Sequence, residues 1–269
     1  MPILRAGLTV PGRACETAVV LLDRVDSTNA EALRRVRAGE RGPLWLAAAE
    51  QTAGRGRRGR FWASPRGNLH ATLLLVDPSP AAVAPQLAFV AGLAVHDACV
   101  TIAPGLDLSL KWPNDMLCGG AKIAGILIEG EGDPVTVAIG IGVNCCHHPS
   151  DVDRPATDFA EQGAMVSAAE VLQAVSCTMA ARLVQWDRGA GFSAIRAGWL
   201  ERASGIGTEI RVRLAERETT GHFEAIDEAG RLILRLADGR CERIAAGEVF
   251  PVGEASALPG LTPARPGAP

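Results

Sequence analysis

An apolar run at residues 44–50 empties directly into Gln51-Thr52-Ala53-Gly54-Arg55-Gly56-Arg57-Arg58-Gly59-Arg60-Phe61-Trp62. A strand end that delivers a glycine-rich loop is where α/β architectures seat ligands. The glycines let the backbone bend and approach a ligand with no Cβ in the way. Arginine fills four of the six positions from Arg55 to Arg60, so the loop concentrates guanidinium forks suited to phosphate. It is not a Walker A loop, because the lysine that ends G-x-x-x-x-G-K-[ST] is missing. A solvated basic turn and an arginine-glycine element for nucleic acid remain alternatives at this point. Trp62, at the far end, offers an apolar face for core packing or for folding over a ligand.

Charge narrows the choice. The formal net charge is -3, whereas non-specific nucleic-acid binding needs a broad excess of Lys and Arg. The arginines are therefore local equipment. With 48% hydrophobic and 21% charged residues over 269 positions, the chain has the profile of a soluble globular protein with one main domain and a small one. No uninterrupted apolar run reaches membrane-spanning length, and Met1-Pro2-Ile3-Leu4-Arg5 lacks the pattern of a signal peptide. A cytoplasmic protein without membrane attachment is expected. Seven cysteines without repeated spacing read as free thiols. Cys145-Cys146-His147-His148 suggests a metal site, but neighbours on an extended chain point to opposite faces and ligand pairs are normally spaced. No metal centre is expected from them.

Residues 1–16 carry Gly and Pro without periodicity and read as a loose lead-in, followed by a buried strand at 17–22. Asp26-Ser27-Thr28-Asn29 then supplies N-caps for a helix, and its hydroxyls either only cap or also face a ligand. A strand at 68–76 and a mostly buried helix at 85–103 come next. Pro113 holds Lys111, Asn114 and Asp115 on a constrained turn. Lys122, near the start of a strand at 121–129, either snorkels to solvent or aims at an anion, and the residues alone favour snorkelling. The strand at 135–143 ends on Asn144, an amide able to read a base edge or cap a turn. Helices follow at 167–187, opened by the Ser167/Glu170 capping box, and at 192–202. From Gly205 the composition shifts to four short strand runs, 208–214, 219–226, 231–236 and 240–244, the pattern of a small β-barrel. Residues 253–269, rich in Pro, Gly and Ala, read as a disordered tail.

Five of these stretches, in this order, resemble the motifs of biotin protein ligases: Asp26-Ser27-Thr28-Asn29, the loop from Gln51 to Arg60, Lys111-Trp112-Pro113-Asn114-Asp115, Lys122-Ile123-Ala124-Gly125-Ile126-Leu127-Ile128-Glu129, and Gly140-Ile141-Gly142-Val143-Asn144. Ala246-Gly247-Glu248-Val249 looks like the last strand of that family. The resemblance implies an α+β fold, a mixed β-sheet with flanking helices over 1–204, followed by a small Src-homology-3-like β-barrel over 205–252 and the tail 253–269. It implies a two-step reaction in which biotin and ATP give biotinyl-5'-AMP, whose biotinyl group passes to a lysine on the biotin carboxyl carrier domain of a carboxylase.

Carried over residue by residue, Ser27, Thr28 and Gln51 would bond the biotin ureido group, with Asn29 beside them. Arg55, Arg57 and Arg60, with the loop amides around Gly54 and Gly56, would hold carboxylate and phosphates, and Trp62 would close over them. Lys122 would bridge carboxylate and α-phosphate, which replaces the snorkelling reading. Gly125 would permit close approach, and Asn144 would read adenine. Lys111, Asn114 and Asp115 would stand near phosphates, magnesium and the incoming lysine, with Asp115 a candidate base. Bifunctional members carry a helix-turn-helix domain before the Ser-Thr-Asn motif, and with 26 residues ahead of Ser27 no DNA binding is expected. A homodimer is compatible with the family. The competing readings are a lipoate or octanoate ligase on the related fold and a non-catalytic biotin-sensing protein.

Overall fold

The computed structural model describes residues 17–150 and 154–252 with their side chains, and three short strands before them as backbone. Those strands are β1 (Ile3–Arg5), β2 (Leu8–Val10) and β3 (Arg13–Cys15). The first pairs antiparallel with β4 (Ala18–Val25), and the other two pair with each other. The lead-in is thus not simply loose: β4 presents an open edge whose backbone groups a short extended segment can satisfy. The tail assigned to 253–269 lies outside the described residues.

β4 runs into α1 (Thr28–Arg37), capped by the Ser27 side chain, and the chain returns as β5 (Leu44–Gln51) parallel to β4. The remaining pairings of the main sheet are antiparallel, through β6 (Leu69–Val76), α2 (Leu87–Ile102), β7 (Leu108–Lys111), β8 (Asp115–Cys118), β9 (Ala121–Glu131) and β10 (Thr136–Val143). The sheet order is β1-β4-β5-β6-β10-β9-β8-β7. Alternation along β5 assigns its side chains to two faces. Trp45 and Ala47 join the large core with α2, while Leu44 and Leu46 join Val20, Ala32, Leu74 and Ala138 under α1. α3 (Ala168–Trp186) and α4 (Phe192–Leu200) complete the large core. Both halves of the α3 capping box form, the Ser167 side chain accepting from Glu170 N and the Glu170 carboxylate accepting from Ser167 N at 2.9 Å.

Among the described residues, one helical stretch, Ala84–Ile102, is long and apolar enough by composition to cross a membrane, although Gln86, His96 and Asp97 interrupt it. Its apolar faces belong to the core, with 67% of its apolar window buried inside the fold, while Asp97 pairs with Arg182.

The C-terminal strands are β11 (Glu209–Arg213), β12 (Glu218–Ile226), β13 (Leu232–Arg235), β14 (Cys241–Ile244) and β15 (Glu248–Pro251), paired antiparallel in the order β14-β13-β12-β11-β15. That is one strand more than composition alone indicated. A register shift between Phe223 and Ala225 bends β12, giving an open Src-homology-3-like barrel with β14 and β15 at its edges. Its apolar residues, Ile210, Val212 and Phe223 among them, belong to the same core as α2. Trp112 Nε1 donates to Gly230 O at 3.1 Å, and Phe89 lies so close to Gly230 that a Cβ there would meet its ring at 2.5 Å. Such a seam fixes the barrel against α2 and the proline turn after β7.

Candidate active site

The cleft floor is made of absent side chains. Gly125 on β9 is paired in register with Gly142 on β10, and Gly140 lies two residues before it. A Cβ at Gly142 would meet the Trp62 indole at 2.5 Å, and one at Gly140 would meet Asn29 Oδ1 at 2.5 Å. The polar wall comes from the start of α1. Gln51 Oε1 accepts from Thr28 N at 2.8 Å and lies 3.1 Å from Thr28 Oγ1, while Gln51 Nε2 donates to Ser64 Oγ at 2.9 Å. The amide is thereby oriented with one N–H left over, since Nε2 carries two protons. Ser27 Oγ accepts from Ala30 N at 3.4 Å and keeps its own proton to donate. Asn29 is spent differently: its Nδ2 donates to Glu129 Oε2 at 2.8 Å, and its Oδ1 lies 2.6 Å from Thr72 Oγ1. It ties α1 to the sheet behind the wall.

The glycine-arginine loop lies across the opening. Arg58, with φ 57°, and Gly59, with φ 71°, turn the chain so that Phe61 bridges back to Arg55. Gly54 is required by close packing, because a Cβ there would be 2.5 Å from both Ser64 Oγ and Trp62 O. Arg57 reaches Asn114 Oδ1 at 3.2 Å and Gly247 O at 3.4 Å, joining the proline turn to the barrel. Burial pushes its guanidinium below the ordinary value, against the upward pull of Asp115. Arg55 pairs with Glu129 at 3.5 Å, and Arg60 pairs with Glu248. Burial works to raise the Glu248 carboxyl, but the Arg60 hydrogen bond and the surrounding guanidiniums hold it below its ordinary value.

Lys122 does not snorkel away. The register between β8 and β9 slips between Met116 and Leu117, and Lys122 Nζ meets Asp115 Oδ1 at 2.6 Å. Its ammonium also sits 5.3 Å from the centroid of the Trp62 ring. That indole covers the glycine floor with its Nε1 buried and unpartnered among the described residues. The cleft thus collects Ser27, Thr28, Gln51, Arg55, Arg57, Arg60, Trp62, Asn114, Asp115, Lys122 and Gly125, with Asn29 and Gly56 at its wall.

Three sequence candidates are not brought to the cleft wall: Gly54, which packs against Ser64 and Trp62 behind the loop, and Asn144 and Lys111. Asn144 is buried, its Nδ2 donating to Thr157 O at 3.0 Å, and Lys111 lies on the barrel side, 6.0 Å from the centroid of Phe250. Among the lining residues outside the sequence site set are the charged Arg58, Arg154 and Glu248, the last two paired at 3.1 Å. Burial lowers the Arg154 guanidinium below its ordinary value, the Glu248 charge opposing. The stretch around Arg154 has no periodicity that would have signalled it.

Beyond the end of β10 the chain wraps around one amide. Asn68 Oδ1 accepts from Cys145 N at 2.9 Å and from Cys146 N and His147 N, each at 3.1 Å, while its Nδ2 donates to His147 O at 2.7 Å. Cys145 is buried and Cys146 exposed, and His148 Nδ1 lies 2.7 Å from Asp158 Oδ2. Asn68→Ala removes one acceptor from three N–H groups and is expected to cost about 1–3 kcal/mol. Denaturant titration reads that loss, and an unchanged midpoint would show the turn to be held elsewhere.

Residues 21–144 match the model of the Biotin/lipoate A/B protein ligase family, and residues 205–250 match that of the Biotin protein ligase C terminal domain. The chain is 44% identical to a biotin--[acetyl-CoA-carboxylase] ligase of Paracoccus denitrificans, covering 86% of this chain and 99% of that protein. It is 30% identical to the bifunctional ligase/repressor BirA of Escherichia coli, over 86% of this chain and 73% of that one. Its fold matches a biotin protein ligase from Aquifex aeolicus solved in complex with biotin and ATP, with a TM-score of 0.73, 29% identity and coverage of 86% and 97%. It also matches a biotin protein ligase from Leishmania major in complex with biotinyl-5-AMP, with a TM-score of 0.60, 26% identity and coverage of 85% and 98%.

Proposed function

The chain belongs to the biotin protein ligase family, and from that premise and its cleft we infer that it activates biotin with ATP and passes the biotinyl group to a protein lysine. The observation that carries this reading is the convergence of Lys122, Arg57 and the Ser27–Thr28–Gln51 wall on one cleft floored by glycines.

In the first step a biotin carboxylate oxygen attacks the α-phosphorus of ATP, the bond to the bridging oxygen breaks, and pyrophosphate leaves with its electrons. Two anions must meet, so catalysis is chiefly positioning and charge neutralisation. The Ser27 hydroxyl and the remaining N–H of Gln51 are suited to the ureido oxygen, and the glycine floor lets the flat bicyclic ring lie against the backbone. A pocket with these donors penalises an acyl chain without a ureido ring, because its polar groups would be left unpaired. Lys122 supplies a compact charge between carboxylate and phosphate, and Arg55, Arg57 and Arg60 hold the phosphates. Magnesium would accompany the nucleotide. It usually binds through one or two carboxylates and substrate phosphates, and Asp115, paired with Lys122 at 2.6 Å, would be the carboxylate to hold it.

In the second step an amine attacks the acyl carbon, AMP leaves from the mixed anhydride, and the amine loses a proton to Asp115 or to water. The carrier domain of a biotin-dependent carboxylase in the cytoplasm is the acceptor that fits this chemistry. We divide the chain into a catalytic unit, 1–204, and the barrel, 205–252.

Biotin-dependent ATP–pyrophosphate exchange on the purified protein tests the first step, with lipoate and octanoate in parallel. Exchange with biotin alone is expected. Exchange with lipoate but not biotin would assign the chain to the sister activity, and no exchange with any acid in folded protein would remove the catalytic reading.

A further inference from the structure

β6 runs between β5 and β10, and two of its polar side chains are buried on the side of the glycine floor. His70 is paired in register with Ala48 on β5 and Gly142 on β10, and Thr72 with Leu46 and Gly140. Directly opposed residues of neighbouring strands share a face, so both side chains stand on the face that carries the floor glycines. Thr72 is accounted for: its Oγ1 lies 2.8 Å from Thr28 Oγ1 and 2.6 Å from Asn29 Oδ1, tying β6 to the start of α1. His70 is 1% exposed and does not line the cleft. Its Nε2 lies 3.0 Å from Pro65 O. A carbonyl only accepts, so Nε2 carries the proton and donates, which leaves Nδ1 bare.

Nδ1 is buried with no partner among the described residues. Burial pushes the imidazole below its ordinary value, against the pull of the Pro65 carbonyl, so the ring stays a single tautomer aimed at one acceptor. Proline has no N–H, and its carbonyl is the one backbone polar group by which Pro65 can be held. Its neighbour Ser64 is bonded to Gln51 twice: Ser64 O accepts from Gln51 N at 3.2 Å, and Ser64 Oγ accepts from Gln51 Nε2 at 2.9 Å. Ser64 Oγ in turn donates to Trp62 O at 3.0 Å. On its other side Gln51 Oε1 accepts from Thr28 N at 2.8 Å. A path of hydrogen bonds thus runs from His70 through Pro65 and Ser64 to the Gln51 amide.

We propose that His70 is a positioning residue for biotin recognition, holding Pro65 and Ser64 so that Gln51 presents its remaining N–H to the ureido oxygen. The proposal rests on the biotin reading above and adds a residue behind the wall. An amide turned over would offer Oε1 where the ureido oxygen needs a donor, and two acceptors would then face each other. Ser64 prevents this only while its own place is fixed. The loop segment that carries it bends between Trp62 and the start of β6, and the His70 bond anchors that bend to the sheet. Lys122 and Arg57 have no part in the path, so the effect falls on the acid that is bound and spares the nucleotide.

The experiment uses the whole protein and measures biotin affinity by calorimetry beside KM for ATP in wild type, His70→Phe, His70→Gln, His70→Asn, Ser64→Ala and the double variant His70→Phe/Ser64→Ala. His70→Phe keeps a flat ring but cannot donate, and it is expected to weaken biotin about tenfold, the scale of one lost hydrogen bond. KM for ATP should stay within about twofold of wild type. The Gln amide nitrogen reaches about as far as Nε2 and should recover most of the loss, whereas the shorter Asn should not. Ser64→Ala should show the same loss confined to biotin, and the double variant should lose little more, because the two changes cut one path. Biotin affinity within about twofold of wild type in folded His70→Phe would overturn the assignment, as would His70→Gln no better than His70→Asn, the comparison that decides if the Phe variant does not fold. Losses that add in the double variant would overturn the path, and an equal loss on the ATP arm would mark a purely structural role. Wild-type protein that binds no biotin would instead overturn the functional reading beneath it.

Discussion

Lys122→Ala is expected to slow biotinyl-5'-AMP formation by about 10²–10³-fold, the scale on which removal of one preorganised charge-stabilising donor acts. The wild-type ammonium meets Asp115 at 2.6 Å and lies beside the glycine floor, where carboxylate and α-phosphate would have to approach each other. Removing it loses the stabilisation of the developing charge and also leaves the Asp115 carboxylate facing that charge without its partner. Lys122→Arg should recover little, because a planar fork does not replace a compact point charge on a flexible stem. Biotin binding is expected to hold, since the ureido wall is built from Ser27, Thr28 and Gln51. Single-turnover adenylate formation, with a thermal melt to confirm folding, reads the effect. A folded variant within about tenfold of the wild-type rate would remove Lys122 from the first step.

Features that are local in sequence were legible before any coordinates. The Ser167/Glu170 box, the Ser27 cap and the turn signals of the barrel each rest on residues a few positions apart, and each forms where expected. Features set by distant partners were not. Lys122 alone reads as a snorkelling lysine because its carboxylate comes from a neighbouring strand. Asn29 reads as a ligand residue in the Ser-Thr-Asn motif, yet its amide is bonded to Glu129, 100 positions away. Arg154 sits in an aperiodic stretch and takes its meaning from Glu248, 94 positions further on. The fifth barrel strand, β15, is four residues long and showed only through resemblance. The strand in the lead-in that joins the main sheet depends on the open edge of β4, which no pattern within residues 1–16 records.

The barrel is more than an appendage, and that bears on how a reactive anhydride is contained. One arginine loop touches three bodies at once: Arg55 reaches Glu129 on β9, Arg57 reaches Asn114 on the proline turn and Gly247 before β15, and Arg60 reaches Glu248 on β15. The loop is therefore tied at once to the sheet, to the proline turn and to the barrel, which its own seam with Trp112 and Phe89 also holds.

Arg57→Gly is the substitution expected to separate making the adenylate from keeping it. The arginine is the tie shared by the proline turn and the barrel, and glycine both deletes it and frees the backbone, at about 1 kcal/mol in conformational entropy. Lys122, Ser27 and Gln51 are untouched, so biotin and ATP should still react, at a reduced rate. A loosened loop no longer excludes water or retains the product. Free biotinyl-5'-AMP acylates any accessible amine, so the variant should biotinylate bystander proteins added to the mixture, while the wild type modifies its carrier alone. Mass spectrometry of an added bystander measures this, with release of biotinyl-AMP into a filtrate as an independent readout. Bystander labelling at the wild-type level, in a variant that still forms adenylate, would mean that retention depends on other contacts, with Arg60 and Glu248 the next pair to separate.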